Sequence, residues 1–193
     1  MPDAFPSLDE IRANRARLDE FIVTTPVRQL VDPPVERAVG RGTDVWLKEE
    51  LFQRTGSFKP RGALSVMFDL GAEALARGVT GASAGNHAIS IAYSARALGT
   101  TAKVVMPRSA DPFRVQSCRE LGGEVELAAD IHEAFRRAAG IAATEGRTFV
   151  HPFEGPKIAL GTASIGLEIV EQLRSCGVVP DAVVAAAGGG GLT

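Results

Sequence analysis

A lysine beside an aromatic residue, at the predicted start of a helix, is the first group in this sequence that could do chemistry. Lys59 follows Phe58 within TGSFKPRGA (55–63), and Pro60 suits the first turn of a helix. The positive end of a helix dipole and partial desolvation both lower the pKa of an amine, as a lysine nucleophile requires. The spacing alone is equally compatible with a solvated lysine in an ordinary first helical turn.

A second candidate site is the turn between a predicted strand and a predicted helix. It consists of five consecutive residues: Ser83, Ala84, Gly85, Asn86 and His87. Backbone N–H groups at such a turn point toward an anion, so a carboxylate or a phosphate would fit there. The alternative is a plain helix N-terminus that the side chain of Ser83 or Asn86 caps.

Four consecutive glycines form the third candidate site. Gly188, Gly189, Gly190 and Gly191 directly follow DAVVAAA (181–187), a continuous apolar run that predicts a buried parallel strand. Glycines leave no Cβ atoms in the way, so a phosphate can approach the backbone. The alternative is a flexible tail, although a tail does not usually follow a buried strand.

Alternation of strands and helices places these three sites at the ends of strands. Strands are predicted at 45–50, 79–83, 102–107, 124–128, 148–153 and 181–187. Helices are predicted at 8–21, from near Lys59, after Gly85, at 112–121, at 131–142 and around 165–173, with turns at 32–34 and 40–42. This order predicts an α/β fold with a parallel sheet.

The amino-acid composition disfavours several classes of protein. The 193 residues are 45% hydrophobic and 23% charged, with a net charge of −2, which disfavours nucleic-acid binding. No apolar run approaches the length of a membrane-spanning helix, and no signal peptide is recognisable, so a cytoplasmic protein is expected. Two distant cysteines and three scattered histidines predict neither a disulfide framework nor a metal site.

Taken together, the motifs resemble the serine/threonine dehydratase (ammonia-lyase) family of fold-type II enzymes that depend on pyridoxal 5'-phosphate (PLP). The matching segments, in family order, are TTPV (24–27), WLKEELFQRTGSFKPRGA (46–63), SAGNHA (83–88), KVVMP (103–107), GGEV (122–125), VHPFE (150–154), GLEI (166–169) and GGGGL (188–192). The resemblance covers nearly the whole chain.

The resemblance implies a role for each candidate residue. Lys59 would bind PLP covalently and act as the catalytic base, and Phe58 would pack against the cofactor ring. Asn86 would hydrogen-bond the phenolic oxygen of the ring, while Ser83, Ala84, Gly85, Asn86 and His87 would bind the substrate carboxylate. Gly188, Gly189, Gly190 and Gly191 would hold the phosphate.

The implied reaction is β-elimination from threonine or serine, which yields a 2-oxo acid and ammonia. Relatives that racemise serine usually carry a serine at the position of Ala84, and that hydroxyl moves a proton on the opposite face of the substrate. Ala84 therefore favours elimination over a serine racemase or a β-replacement synthase. An enzyme that acts on 3-hydroxyaspartate and an inactive fragment that only associates with a partner are further alternatives.

The resemblance also implies two α/β domains, a small one at 52–150 and a large one formed by 1–51 with 151–193. Family members continue past the glycine loop, so we expect a C-terminally truncated chain with an incomplete large domain. A homodimer is common in the family. Gly161-Thr162-Ala163-Ser164 departs from the usual Gly-Gln-Gly-Thr and leaves the identity of the substrate open.

Overall fold

Helices and strands alternate through most of the chain. The computed structural model describes residues 5–40 and 42–192. The helices in these ranges are α1 (Leu8–Leu18), α2 (Pro33–Val39), α3 (Lys59–Met67), α4 (Ala72–Arg77), α5 (Asn86–Ala97), α6 (Pro112–Glu120), α7 (Ile131–Glu145) and α8 (Pro156–Ser175). The strands are β1 (Val27–Gln29), β2 (Trp46–Lys48), β3 (Val79–Ala82), β4 (Ala102–Pro107), β5 (Glu124–Ala128) and β6 (Thr148–Phe149).

A parallel sheet of four strands, in the order β5-β4-β3-β6, confirms the predicted α/β class. Val79 pairs with both Ala102 of β4 and Thr148 of β6, so β3 is an inner strand of the sheet. Because all four strands are parallel, their carboxyl ends lie at one edge of the sheet. The segments that follow β3 and β6 therefore come together there. A separate antiparallel pair joins β1 to β2.

Helices cover both faces of this sheet. In β4, Val104 and Met106 belong to a core cluster with α3, α5 and α6, whereas Val105 belongs to a second cluster with α7. Side chains alternate between the two faces of a strand, so this division means that β4 is buried on both sides. Within the described part of the chain, every helix is too short or too polar to cross a lipid bilayer.

Helices α1 and α7 carry side-chain caps at their N-termini. Ser7 and Glu10 form a capping box at the start of α1, and the side chain of Asp130 accepts a hydrogen bond from the backbone N–H of Glu133 in α7. Helix α7 ends at Gly146, whose φ of +65° is the left-handed conformation of a glycine cap.

The prediction of a buried strand at 181–187 is wrong. This segment pairs with neither edge of the four-stranded sheet, and Val183 and Val184 are 68% and 97% exposed. An apolar run becomes a strand only beside another strand that satisfies its backbone groups, and no described segment lies beside this one. Other boundaries also differ: β2 and β6 stop at Lys48 and Phe149, the helix predicted around 165–173 begins at Pro156, and the predicted turn at 32–34 opens α2 behind Asp32.

Helices α3 and α8 pack so closely that Gly161 is required at their contact and Gly62 faces the side chain of Ile158 tightly. A Cβ atom on Gly161 would lie 2.2 Å from the backbone oxygen of Arg61, and one on Gly62 would lie 3.2 Å from Ile158. A Cβ clash with backbone cannot be relieved by a side-chain rotation. The close contact therefore fixes the height of α3 against α8, and with it the position of Lys59.

A buried network of charges reinforces this contact. Arg61 is completely buried, and its guanidinium donates to Glu50 of the turn after β2 and to Glu168 of α8. Glu168 also accepts hydrogen bonds from Lys48 at 2.6 Å and from Arg15 at 2.9 Å. We call these five residues the charge network. It ties α1, β2, α3 and α8 together.

Hydrogen bonds within the charge network determine the protonation state of Glu168, its central carboxylate. Burial by itself would raise the pKa of Glu168, but the hydrogen bonds from Arg61 and Lys48 outweigh burial and lower that pKa. Burial lowers the pKa of Lys48, although its hydrogen bond to Glu168 opposes the change. Glu168 is therefore ionised at neutral pH, and it compensates buried positive charge on three elements.

Replacing Glu168 with glutamine should destabilise the fold strongly. Glu168→Gln leaves Arg61 and Lys48 buried without their shared counter-charge, so we expect the free energy of unfolding to fall by about 3–5 kcal/mol. Urea denaturation followed by circular dichroism measures this change. Glu171→Gln, at an exposed position of the same helix, is the control and should cost no more than about 0.5 kcal/mol. Similar midpoints for the two variants would contradict the role of the network.

A buried histidine joins α5 to the segment after β6. His87 is 3% exposed, and its Nε2 lies 2.9 Å from the backbone oxygen of Val150. Because a carbonyl oxygen only accepts, Nε2 carries the proton of the neutral ring. Burial lowers the pKa of His87 to about 4, and the nearby charges of Lys59 and His151 act in the same direction.

This histidine should make the stability of the fold depend on pH. As the pH falls below 6.5, the unfolded chain binds a proton at His87 that the folded chain takes up only near pH 4. The free energy of unfolding should therefore fall across that window, by up to about 3 kcal/mol. His87→Gln removes the titrating group, so urea denaturation at several pH values should show a flatter profile. An unchanged profile in the variant would contradict this assignment.

Candidate active site

Lys59 begins α3 and extends toward the segment that follows β6. Its Nζ donates a hydrogen bond of 2.6 Å to the backbone oxygen of Pro152 and lies 4.8 Å from the centre of the Phe58 ring. Both residues border a small cavity of about 10 Å³. The other residues that border this cavity are Gly62, His87, Pro152, Ile158 and Thr162.

Lys59 differs from the other lysines in its partners. Lys48 pairs with Glu168, Lys103 pairs with Glu126 and Glu145, and Lys157 pairs with Asp69. No carboxylate among residues 5–40 and 42–192 pairs with Lys59. Burial lowers its pKa, and no ion pair opposes that change. Its amine is therefore neutral, and nucleophilic, at a lower pH than that of an ordinary lysine.

The backbone in front of Lys59 is strained. Thr55 has a φ of +67° and a ψ of 12°, the left-handed conformation, which costs a β-branched residue on the order of 1–3 kcal/mol. Two residues later the hydroxyl of Ser57 is buried, and it has no hydrogen-bond partner among the described residues. Strain and an unsatisfied donor directly before the lysine are typical of a binding site rather than of a plain turn.

The turn from Ser83 to His87 connects β3 to α5. The backbone N–H of Gly85 donates to Ser83 Oγ at 3.0 Å, and Gly85 itself is the N-cap residue of α5. No side chain caps this helix, so capping by Ser83 or Asn86, the alternative left open by the sequence, is wrong. Ala84 is exposed at the tip of the turn. The first N–H groups of α5 remain without a side-chain acceptor.

An arginine that the sequence did not single out lies against this turn. Arg114 of α6 donates to Asn86 Oδ1 at 2.8 Å. A Cβ atom on Gly85 would lie 2.1 Å from the guanidinium of Arg114, so glycine is needed for this close approach. The contact fixes the amide of Asn86 with its oxygen toward Arg114. Nothing in the spacing of Arg114, which is 28 residues from Asn86, indicated this contact.

The glycine loop packs against the segment that receives Lys59. A Cβ atom on Gly189 would lie 2.5 Å from the ring of Phe153, and one on Gly191 would lie 3.0 Å from the Cα atom of Phe153 and 3.5 Å from the backbone oxygen of Pro152. That same oxygen accepts the hydrogen bond from Lys59. The loop is therefore next to the lysine, and its backbone is packed closely because it has no side chains.

The structure thus brings the three predicted sites to one edge of the sheet, but only some of their residues border the same cavity. Phe58, Lys59 and His87 border one cavity, and the glycine loop reaches Lys59 through Pro152. Ser83, Ala84, Gly85 and Asn86 stand beside His87 but do not border that cavity. Sequence reasoning missed Pro152, because a backbone carbonyl has no sequence signal. Thr162, which the sequence marked only as part of a departure from the family pattern, also borders the cavity. In the described part of the chain, no group of three or more histidines, cysteines or carboxylates could hold a metal ion.

Comparison with curated proteins finds dehydratases. The chain is 47% identical over 188 residues to the phenylserine dehydratase of Ralstonia pickettii, an alignment that covers 97% of this chain and 55% of that protein. It is 44% identical over 152 residues to an L-threonine ammonia-lyase of Thermotoga maritima, with 78% of this chain and 37% of that protein covered. The chain therefore spans about half, or less, of the length of these relatives.

Comparison with solved structures finds the same fold. A threonine deaminase from T.th. superposes with a TM-score of 0.85 at 36% identity, over 97% of this chain and 58% of that one. A maize serine racemase superposes with a TM-score of 0.80 at 30% identity, over 89% of this chain and 51% of that one. The family described as "Pyridoxal-phosphate dependent enzyme" matches residues 19–193. On this match and these likenesses, the chain belongs to the family of pyridoxal-phosphate dependent enzymes, as the resemblance predicted.

Proposed function

We propose that the protein deaminates a β-hydroxy α-amino acid by β-elimination and releases a 2-oxo acid and ammonia. The observation that carries this proposal is Lys59, a half-buried lysine without an ion-pair partner among the described residues, whose amine lies beside an aromatic ring and the glycine loop and shares a cavity with His87. The names of the dehydratase and ammonia-lyase relatives support the same reaction.

The residues around Lys59 fit PLP. The amine of Lys59 is available for a covalent bond to an aldehyde because no carboxylate of the described chain holds it. Gly189 and Gly191 pack one side of the loop against Phe153, and a Cβ atom on Gly188 would meet nothing within 4 Å, so the loop has a backbone surface without side chains that a phosphate can approach. The unsatisfied hydroxyl of Ser57, next to Phe58, is a donor for a polar group.

When bound, PLP supplies an electron sink that stabilises negative charge at the α-carbon of an amino acid. In this proposal, Lys59 Nζ removes the proton from that carbon. The lowered pKa of Lys59 favours the neutral amine that this step needs. Backbone N–H groups of the turn from Ser83 to His87 bind the substrate carboxylate, and the neutral His87 adds no competing charge beneath them.

Elimination is favoured over racemisation by the residue at position 84. Racemisation requires a second group that can give a proton to the opposite face of the α-carbon. The exposed tip of the turn is Ala84, whose methyl group holds no proton to give. The likeness to a serine racemase therefore reflects the shared fold in this proposal.

Three further predictions belong to this proposal. We place the small domain at 52–150, a range that contains the whole four-stranded sheet, and assign 1–51 and 151–193 to the large domain. The full protein is predicted to act as a homodimer. It is also predicted to be cytoplasmic.

Chemical trapping tests the proposed role of Lys59. After incubation with PLP and reduction with borohydride, peptide mass mapping should locate the pyridoxyl group on Lys59. Lys59→Ala should abolish this adduct and lower 2-oxo acid formation at least ~10³-fold, because both the attachment point and the base are lost. Lys157→Ala, at an exposed lysine paired with Asp69, is the matched control and should keep both the adduct and the activity.

Two results would count against the proposal. Adducts spread evenly over Lys48, Lys103 and Lys157 would show that Lys59 is not a specific site. A specific adduct on Lys59 without 2-oxo acid from any β-hydroxy amino acid would leave a PLP protein with another reaction.

The glycine loop can be tested through PLP affinity. Gly189→Ala places a Cβ atom 2.5 Å from the Phe153 ring, so the packing of the loop against this ring must change. We expect the dissociation constant for PLP, measured by its absorbance change on titration, to rise at least about tenfold. Gly166→Ala, where a Cβ atom would meet nothing within 4 Å, is the control. Equal PLP affinity in both variants would remove the loop from the proposed site.

A further inference from the structure

The segment that connects β6 to α8 carries groups that contact Lys59 and the glycine loop. Up to Val150 the chain is held by the sheet, because the backbone N–H of Val150 donates to Thr80 of β3 at 2.8 Å. Residues 151–155 then belong to neither a strand nor a helix, and α8 begins at Pro156. Backbone groups outside regular pairing need other partners to fix them. We call residues 151–155 the connecting segment.

The imidazole of His151 supplies such a partner within the connecting segment. Its Nδ1 atom lies 2.8 Å from the backbone nitrogen of Glu154 and 3.4 Å from that of Phe153. Because a backbone N–H only donates, Nδ1 carries no proton, and the neutral ring holds its proton on Nε2. A side-chain acceptor that bonds the N–H groups two and three residues ahead stabilises a turn, as in an Asx turn. The side chain of His151 therefore closes a turn over residues 151–154.

This turn presents two groups to the proposed site. The backbone oxygen of Pro152 accepts the 2.6 Å hydrogen bond from Lys59 Nζ, and Pro152 borders the same cavity as Lys59. The ring of Phe153 contacts the glycine loop, where a Cβ atom on Gly189 would lie 2.5 Å from it. Both residues lie inside the turn that His151 closes. A change in this turn would therefore reach the amine and the loop together.

The imidazole is also packed against aromatic rings. Measured between ring centres, it lies 4.6 Å from Phe153 in an edge-on arrangement, 6.0 Å from Phe135 of α7 and 6.1 Å from Phe149 of β6. These separations are those of interacting aromatic pairs. The rings that α7 and β6 place against His151 carry no charge. Packing and hydrogen bonding are thus two separate contributions of the same side chain.

Burial and nearby charges set the protonation of His151. Burial lowers its pKa, the carboxylate of Glu154 opposes that change from 3.6 Å, and the charge of Lys59 supports it. Because the side chain of Glu154 is 73% exposed, solvent screens its attraction. His87, the other histidine near this segment, is itself neutral at this pH. The ring of His151 is therefore neutral at pH 7 and takes up a proton only below its ordinary value of 6.5.

Protonation would remove the acceptor that closes the turn. The imidazolium carries a proton on both nitrogens, so Nδ1 becomes a donor. The N–H groups of Phe153 and Glu154 would then face another donor and lose their hydrogen bonds within the segment. The positions of Pro152 and Phe153 depend on these bonds.

We propose that His151 is a positioning residue: with Nδ1 unprotonated it closes the turn that holds Pro152 against Lys59 and Phe153 against the glycine loop, and with Nδ1 protonated it opens that turn. This inference rests on the proposed binding of PLP at Lys59 and names a residue that controls it. Because Pro152 borders the cavity and His151 does not, the imidazole acts through its neighbours.

Hydrogen exchange tests the turn in the purified full chain without PLP. At about pH 7.5, the N–H groups of Phe153 and Glu154, resolved by NMR, should exchange at least about tenfold more slowly in the unchanged protein than in His151→Phe, which keeps a ring but has no acceptor. His151→Asn, whose Oδ1 atom replaces Nδ1 and does not titrate, should stay within about threefold of the unchanged protein. Equal exchange in all three proteins would overturn the proposal.

PLP affinity tests the link from the turn to Lys59. At about pH 7.5, His151→Phe should raise the dissociation constant for PLP, measured by absorbance titration, at least about tenfold, because Pro152 and the glycine loop are no longer pre-positioned. His151→Asn should stay within about threefold. His132→Phe, at an exposed histidine of α7, is the matched control and should change nothing. Equal affinity of the two His151 variants would show that the acceptor has no role at the site.

The pH profile separates this role from packing alone. As the pH falls from about 7.5 to about 5, the dissociation constant for PLP should rise more steeply in the unchanged protein than in His151→Asn, because only the former gains a proton at this position. Lys59, His87 and PLP titrate in both proteins, so their contributions cancel in the ratio of the two constants. Glu154→Gln removes the charge that favours protonation and should move the rise to lower pH. Parallel profiles for the unchanged protein and His151→Asn would contradict the proposal.

The outcomes distinguish this inference from the proposed function. If PLP binds at Lys59 but no 2-oxo acid forms, the deamination fails, and exchange and affinity still decide the role of His151. If deamination occurs while His151→Phe exchanges and binds PLP as the unchanged protein does, the role of His151 fails and the deamination stands.

A further readout applies if the unchanged chain binds no PLP. The rate at which an amine-reactive reagent labels Lys59, measured by peptide mass mapping, then reports the contact with Pro152. His151→Phe should change this rate at least about threefold, and His151→Asn should not. An equal rate in all three proteins would overturn the role of His151.

Discussion

Arg61 is completely buried and makes five hydrogen bonds, two to Glu50, two to Glu168 and one to Ser164. A guanidinium has five N–H donors in a fixed plane, so its partners must occupy fixed positions. Those partners belong to the turn after β2 and to α8, which places both against α3. Lys59 stands two residues before Arg61 on the same helix, and its position relative to Pro152 follows from this arrangement. Loss of one carboxylate would leave the buried cations of the charge network with too little negative charge, which is the more costly way to break an ion pair in a protein interior.

The same helix carries two cations with opposite environments. Glu50 and Glu168 satisfy Arg61, whereas the described chain offers Lys59 a backbone oxygen and an aromatic ring. Burial therefore has opposite outcomes at the two residues: the ion pairs outweigh burial and raise the pKa of Arg61, whereas burial lowers the pKa of Lys59, which no described carboxylate opposes. Within a single turn of α3, Arg61 is a structural charge held by ion pairs, whereas Lys59 is the candidate nucleophile. The close contact at Gly161 fixes the position of α3 against α8.

The parts of this structure that could be predicted from sequence are the local ones. β4 and β5 begin and end where their patterns indicate, and Lys59 opens a helix, because hydrophobic alternation and proline placement act within a few residues. The strand at 181–187 could not be judged in this way, because pairing depends on a neighbour distant in sequence. The same limit concealed Glu168 and Pro152, which meet Arg61 and Lys59 across 107 and 93 residues. The three candidate sites were recognisable, while the contacts that place them at one edge of the sheet were not.

The span from Arg61 to Glu168 also sets an order for assembly during synthesis. A ribosome adds about 5–20 residues per second, so Glu168 follows Arg61 by roughly 5–20 s. Glu50 precedes Arg61 in the sequence and is already present. Glu168, the other carboxylate that pairs with Arg61, is translated only after all four strands of the sheet. During that interval α3 has nothing to pack against on the side of α8. Pro152 and the α8 residues Ile158 and Thr162, which border the cavity of Lys59, are also translated only after the sheet, so the surroundings of the amine are completed last.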